Sequence, residues 1–505
     1  GLKGVDLAME RNLIRLSAAV IAILMISISV GRLEGYRAGV EIMPVSIGST
    51  PATVYKKGTV VEAPAVVIAH GFAGSQQLMQ AFALTLAHAG YVAITFDFEG
   101  HGRNPAPLSG DVTETSGATR LLMEEVERVT DFALALPSVN GQVALLGHSM
   151  ASDIIVRQAI GDKRVAAVVA VSMFSEAVTA DQPANLLIIT GAWETFLRRQ
   201  ALRTLHLSDP AASEGQTVGS IANGTGRRAV AAPAVEHVGV LYSATALDEA
   251  RKWLDAVFER RSQTTVAATG GWIILLLAGI VLLAWPLSSL LPKSGLTPLH
   301  LRLPVFIAAS LVPATLTPIV LYLFDTRFLP VLVADYLAVH LFFYGSLSIA
   351  ILRLHGIKFG PTAWSTAMLL AIFGIVVFGG AIDRYLASFY PAAGRPLIIL
   401  AVAVGAVTYM IADSLLSEAG QASWLRIFVS RAAFLASLVA AIALDPERLF
   451  FLLIILPVIV LFFLIFGLLG GWAGRQTRSP LAVGTGLGLI LAWAIGVSFP
   501  LFTSS

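Results

Sequence analysis

Cysteine is absent from the 505 residues. That excludes disulfides, thiol nucleophiles and cysteine-ligated metals, and it leaves the redox compartment open. Charge is scarce as well. Asp, Glu, Lys and Arg together make up 13% of the chain, against about 25% in an ordinary soluble domain. The net charge of +2 supplies no basic field, so nucleic acid is not expected as a partner. The shortage is uneven. Residues 40–262 have the mixture of a normal globular domain, so the rest of a chain that is 56% apolar must be far more apolar still. That remainder reads as membrane.

Residues 13–30 form an apolar run, with Lys3 and Arg11 before it and Arg15 near its start. The run is long and no clear A-x-A site follows, so an uncleaved anchor is expected. From residue 271 onward apolar runs recur at 272–291, 303–324, 329–352, 363–382, 396–413, 427–444, 449–469 and 481–502. Each approaches the ~20 residues that cross a bilayer as a helix, which gives about nine spans in all. With the N-terminus inside, Lys3, Arg11, Arg15, Lys293, Arg302, Arg353, Lys358, Arg426, Arg475 and Arg478 fall on the inner side. The outer short loops hold Arg327, Arg384, Arg395 and Arg448, diluted by Asp325, Asp383, Asp445 and Glu447. This bias favours a cytoplasmic N-terminus. The globular stretch then lies outside the cytoplasm, periplasmic or extracellular in a bacterial inner membrane. The expected organisation is an anchor and linker over 1–39, a globular domain over 40–262 and a helical bundle of about eight spans over 263–505.

Within the globular stretch strand and helix patterns alternate, which implies a mostly parallel sheet with crossover helices. Strands are expected at 64–69, 91–96, 142–146, 165–171, 186–190 and 228–235. Helices are expected at 76–89, 118–136, 150–160, 195–205 and 243–260. The connection between the strand ending at 171 and the one starting at 186 is short.

Five motifs sit on these elements in order. They are His70-Gly71-Phe72-Ala73-Gly74, Asp97-Phe98-Glu99-Gly100-His101-Gly102, Gly147-His148-Ser149-Met150-Ala151, the segment ending at Glu194, and Glu236-His237-Val238. Together they resemble the α/β-hydrolase superfamily, in particular its esterase and dienelactone-hydrolase-like members. The resemblance covers residues 40–262. The third motif departs from G-x-S-x-G at Ala151.

The resemblance implies an α/β-hydrolase fold without a large cap and a Ser-His-acid triad. Ser149 would be the nucleophile, His237 the base and Glu194 the orienting acid, with Asp181 as the rival acid. The backbone amides of Phe72 and Met150 would form the oxyanion hole. No cofactor or metal is implied. His148 is expected to pack in its turn, His70 and His101 to serve structural turns, and Asp97 and Asp153 to brace turns. His206 is a further competing histidine, and Asn223-Gly224-Thr225 fits a glycosylation sequon of low specificity.

In the bundle, Tyr336, His340 and Tyr344 recur at spacing four and share one helix face. Asp335 lies beside that stripe, and Asp413 and Arg431 lie near span ends. Polar groups in such spans serve either function or helix–helix contact. The reading is a multi-pass membrane protein with a serine hydrolase domain of carboxylesterase or lipase type, acting on an acyl-ester substrate. Acyl transfer to a non-water acceptor is one alternative. The other is a membrane assembly or transport protein that uses the domain for docking. Eight further spans exceed what anchoring needs, so the bundle is expected to meet the lipid bilayer and to bind a partner membrane protein, a lipid or a transported substrate.

Overall fold

The computed structural model describes residues 2–110, 115–294, 297–324, 326–331, 333–359 and 362–502. Asp325 lies outside them. The chain forms two compact units. One holds Ser29–Ile274, Ile382–Ala392 and Pro500–Ser505; the other holds Gly1–Ile28, Leu275–Ala381 and Ala393–Phe499. The first helix, α1 (Leu2–Arg37), contributes to both.

Among the described residues the first unit is built on a nine-stranded sheet in the order β1-β2-β4-β3-β5-β6-β7-β9-β8. Its strands are β1 (Val40–Ile47), β2 (Thr50–Lys57), β3 (Ala63–Ala69), β4 (Val92–Phe96), β5 (Val139–His148), β6 (Val165–Val171), β7 (Leu186–Gly191), β8 (Thr217–Val218) and β9 (Arg227–Ala232). The central strands run parallel. Their buried stretches, such as residues 65–69, 143–146, 165–171 and 186–189, are dominated by Val, Ile, Leu and Ala because both faces are covered. Helices α2 (Gln80–His88) and α6 (Ala244–Val257) pack on one face, against Val66, Ile68 and Leu146. Helices α3 (Arg120–Ala135), α4 (Met150–Gly161) and α5 (Thr195–His206) pack on the other, against Val67, Leu145 and Ile188. Each fully buried Val, Leu or Ile contributes about 1.5–3 kcal/mol. Residues 172–185, where a cap would be inserted, contain no helix or strand.

The hairpin of β1 and β2 is not expected from sequence. β1 alternates half-buried and exposed residues and carries Pro44, which an edge strand tolerates and a central strand does not. Gly48, at φ 62°, supplies the left-handed residue of its two-residue loop. β8 is also unexpected, being two residues long. The last long strand ends at Ala232, not at residue 235. Pro233 follows and has no N–H to continue the ladder, so residues 233–238 become a loop.

Two segments outside 40–262 join this unit. Arg103 Nη2 donates to both oxygens of Asp383, at 2.7 and 2.6 Å. The amide of Ser388 donates to Ser75 Oγ at 2.9 Å. Leu501 pairs through its N–H with Gly100 O (2.8 Å) and through its carbonyl with Leu108 N (2.9 Å).

Among its described residues the second unit has helices and no strand. With the first part of α1 it contains α7 (Gly270–Ser288), α8 (Leu303–Tyr322), α9 (Ala334–Leu354), α10 (Trp364–Ile372), α11 (Gly379–Tyr385), α12 (Arg395–Leu416), α13 (Trp424–Leu444), α14 (Pro446–Leu449), α15 (Leu452–Thr477) and α16 (Pro480–Ser498). Unit boundaries fall inside α7 and α11. π-type turns at Phe373–Phe378 join α10 to α11, making one helical run over Trp364–Tyr385. Among the described residues nine helices are long and apolar enough to cross a membrane. Their outward faces are apolar: Leu397, Leu400 and Val404 stand exposed on one side of α12, the reverse of a helix that faces water. Gly484 and Gly488 let the backbone of α16 close on α12 at Ile411 and Val407, the small-residue packing of membrane helices.

Candidate active site

The parallel strands end together on one edge of the sheet, where doubly wound folds place their chemistry. β5 ends at His148 and α4 begins at Met150, which leaves a single residue, Ser149, to make the turn. Its backbone sits at φ 55°, ψ −120°. A non-glycine residue in such a conformation stores about 1–3 kcal/mol of strain and persists only where its surroundings fix it. Here Ser149 N donates to Val171 O at 2.9 Å, and Ser149 O accepts from Ser152 N at 2.9 Å. Gly147 is required by space, since a β-carbon there would lie 2.9 Å from Ala151 O.

Glu194 follows β7 and precedes α5. Its side chain is only 6% exposed, so the carboxylate needs partners. Oε2 accepts from Gly191 N at 2.6 Å and from Ser172 Oγ at 2.7 Å. Oε1 lies 2.5 Å from His237 Nδ1. Burial pushes the Glu194 carboxyl upward, but the hydrogen bonds from His237, Gly191 and Ser172 outweigh it and hold it below the usual range.

His237 lies in the loop after β9. Gly191 lets that loop pass, because a β-carbon there would come within 2.5 Å of Val235 O. The His237 Nε2 is 2.9 Å from Ser149 Oγ. With its proton on Nδ1 the ring donates to Glu194 and accepts from the serine hydroxyl, which is the direction a proton relay needs.

The His70–Gly74 segment, after β3, passes against this turn. A β-carbon on Gly71 would lie 3.0 Å from Ser149 Cβ, so the Phe72 amide belongs to a segment in contact with the serine. Met150 supplies the first amide of α4. Two amides beside one serine are the ingredients of an anion pocket.

The other sequence candidates are placed as follows. Asp181 accepts from Thr179 Oγ1 at 3.1 Å in an exposed loop, and Glu194 takes the position beside His237. His206 meets Ala212 O. His70 is fully buried, accepts from Phe98 N at 3.1 Å and donates from Nδ1 to Gly71 O at 2.8 Å. Burial lowers its pKa to about 4. Asp97 accepts from Gln76 N and Arg103 N, and burial raises its pKa. Asp153 pairs with Arg157 and accepts from Ser175. His101 Nδ1 meets Glu99 O at 2.9 Å.

Sequence reasoning missed two contributors. His148 does more than pack: its Nε2 donates to His237 O at 2.8 Å. Ser172, at φ 54°, anchors Glu194. Its place just after β6 was the one available signal.

Residues 62–216 match the family model described as serine aminopeptidase, S33, an α/β-hydrolase family. Among curated proteins none matches the chain. Solved structures that resemble it include a hypothetical protein from Pseudomonas aeruginosa (16% identity, TM-score 0.34, covering 43% of this chain and 94% of that one). A membrane phospholipase A described as a bacterial virulence factor also matches (15% identity, TM-score 0.33, 51% and 98% covered). So does an epoxide hydrolase from Vigna radiata (24% identity, TM-score 0.22), of whose length this chain spans 41% and which covers 27% of this chain. The sheet unit is a hydrolase-like α/β domain.

Proposed function

We propose that this domain is a serine hydrolase that cleaves an ester-like acyl bond. The observation that carries the reading is the Ser149–His237–Glu194 chain, with links of 2.9 and 2.5 Å, at a strained strand-to-helix turn. Ser149 Oγ attacks the acyl carbon while His237 Nε2 takes its proton. The amides of Phe72 and Met150 hold the oxyanion. His237 returns the proton to the leaving alcohol, and the acyl group stays on Ser149. Water, losing a proton to His237, then releases the acid and regenerates the hydroxyl. Glu194 keeps the imidazole in the productive tautomer and stabilises its charged form.

An apolar acyl group is supported by the surroundings of these residues. Phe174, Trp193, Phe196 and Val238 are 49%, 66%, 52% and 47% exposed, although each stands within two residues of Ser172, Glu194 or His237. The Phe174 and Phe196 rings lie 5.9 Å apart. Exposed aromatics clustered at a site mark apolar recognition, here of a lipase-like substrate.

The bundle embeds the chain in a membrane, and the domain works on its extracytoplasmic side. The short-loop charges support that side. Residues 382–392 and 500–502, outer segments on the same count of spans, group with the sheet unit. The test is labelling of the purified full chain with a fluorophosphonate. Modification of Ser149, abolished by Ser149→Ala and weakened by His237→Ala, is expected; an unlabelled wild-type protein overturns the reading.

A further inference from the structure

Within the helical unit a cleft of about 510 Å³ runs between α13 and α15, floored by α12 and α16. One side is open. Trp424, Phe428, Leu464 and Leu468 on its rim are all more than half exposed. Its chemistry changes along its length. At one end, where α12 ends, α13 starts and α15 ends, it is lined by Asp413, Ser414, Ser417, Arg431 and Arg475. Further along α13 and α15 the lining is Leu435, Val460 and Leu464, with Phe463 between, under the Arg431 guanidinium.

The charges at the polar end do not cancel. Arg431 gives both Nε and Nη2 to Asp413 at 3.0 Å, a closed pair. Gly467 makes the room, since a β-carbon there would stand 2.5 Å from Arg431 Nη1. Arg475 is different. It is exposed, it donates Nη1 to Gly420 O at 2.8 Å, and among the described residues no carboxylate forms an ion pair with it. Ser414 adds an independent sign. It is 3% exposed, it lines the cleft, and among the described residues its Oγ has no hydrogen-bond partner. A closed ion pair explains why α12 and α13 hold together. It leaves unexplained an open cleft that ends in an extra cation and an unused buried hydroxyl, since a buried polar atom without a partner costs about 1–3 kcal/mol.

We propose that this cleft is a binding site for one anionic phospholipid. Its phosphate pairs with the Arg475 guanidinium, Ser414 Oγ–H donates to an oxygen of the headgroup–ester region, and an acyl chain lies along Leu435, Val460 and Leu464. The polarity gradient matches a lipid laid along a helix bundle. Arginine suits the phosphate because its planar fork offers paired donors. The Asp413–Arg431 pair closes the polar end and repels a second anion through Asp413.

The experiment uses the full chain purified in detergent. Native mass spectrometry is run with phosphatidylglycerol, with phosphatidylcholine of the same acyl chains, and with inorganic phosphate alone. Wild type is expected to retain one phosphatidylglycerol at least tenfold more than phosphatidylcholine. Arg475→Gln, an exposed change, brings the two lipids to parity. Val460→Trp fills the apolar part and lowers retention of both while leaving Arg475 in place. Size-exclusion profiles unchanged from wild type show that each variant is folded. Equal retention of the two lipids by wild type overturns the proposal, as does unchanged preference in Arg475→Gln. Binding of inorganic phosphate as tight as that of phosphatidylglycerol, or indifference to Val460→Trp, also overturns it by pointing to a free anion site.

Discussion

The imidazole of His148 holds the backbone of His237: Nε2 of the first donates to the carbonyl of the second at 2.8 Å, across 89 residues of sequence. The residue before the serine therefore fixes the loop of its partner, and the two rings lie 4.8 Å apart. His148→Phe keeps the ring volume and removes the donor. Leaving that carbonyl unpaired costs about 1–3 kcal/mol, so kcat/KM toward a p-nitrophenyl ester should fall about tenfold. His148→Gln, which restores a donor, should recover part of the loss. An unchanged kcat/KM in His148→Phe would show that the loop is held by other contacts.

Glu194→Gln keeps an acceptor for Gly191 N and Ser172 Oγ but removes the charge beside His237 Nδ1. Ester hydrolysis should fall by about three to four orders of magnitude, with far-ultraviolet circular dichroism unchanged. A loss of tenfold or less would assign the acid elsewhere.

Gly71→Ala places a methyl 3.0 Å from Ser149 Cβ and 3.1 Å from His148 O. The segment carrying the Phe72 amide must then shift by a few tenths of an ångström. Losing one oxyanion donor costs about 10²–10³ in kcat. Ester kinetics should show the loss in kcat more than in KM. A change confined to KM would remove Phe72 from the oxyanion role.

Acid sensitivity should come in two stages. Burial lowers the pKa of both His70 and His148 to about 4, from an ordinary 6.5. The unfolded chain binds these protons first, so stability is full above pH 6.5 and is lost as pH falls from there towards 4, by up to about 3 kcal/mol per residue. Glu194, whose folded pKa is depressed, stabilises above its unfolded value of 4.5 and loses that contribution only below it. Thermal unfolding of the full chain should show the first decline flattened in His148→Phe and the second flattened in Glu194→Gln. Parallel curves for wild type and His148→Phe between pH 6.5 and 4 would contradict the first stage.

Much of the sheet unit was legible because the buried parallel strands are mostly apolar and five of them, β3, β4, β5, β7 and β9, are followed by a motif. Ser149, Glu194 and His237 could be named because the motifs that carry them resemble those of the α/β-hydrolase superfamily, and the structure brings their side chains together. What escaped has a common physical character. The β1–β2 hairpin lies at an edge, where one row of side chains faces outward and the apolar signal is diluted. The bond from His148 to a distant carbonyl depends on a backbone group, which every residue has and no sequence pattern marks. The Arg103–Asp383 pair joins residues 280 apart, and neither side chain is unusual in its own neighbourhood. Spans were counted more easily than their internal chemistry, because length and apolarity are summed over ~20 residues whereas Ser414 and Arg475 matter as single atoms in a cleft.

The pairing of Leu501 with Gly100 and Leu108 has a consequence for how the protein is made. The turn between β4 and α3 receives two of its backbone partners from residues translated after α16. A ribosome that has finished the whole sheet has not yet supplied those two backbone partners. The turn reaches its final form only when every helix from α7 to α16 has been synthesised and residues 500–502 can return to it. Protease resistance at residues 100–108 during synthesis would thus report translation past α16 as well as folding of the sheet.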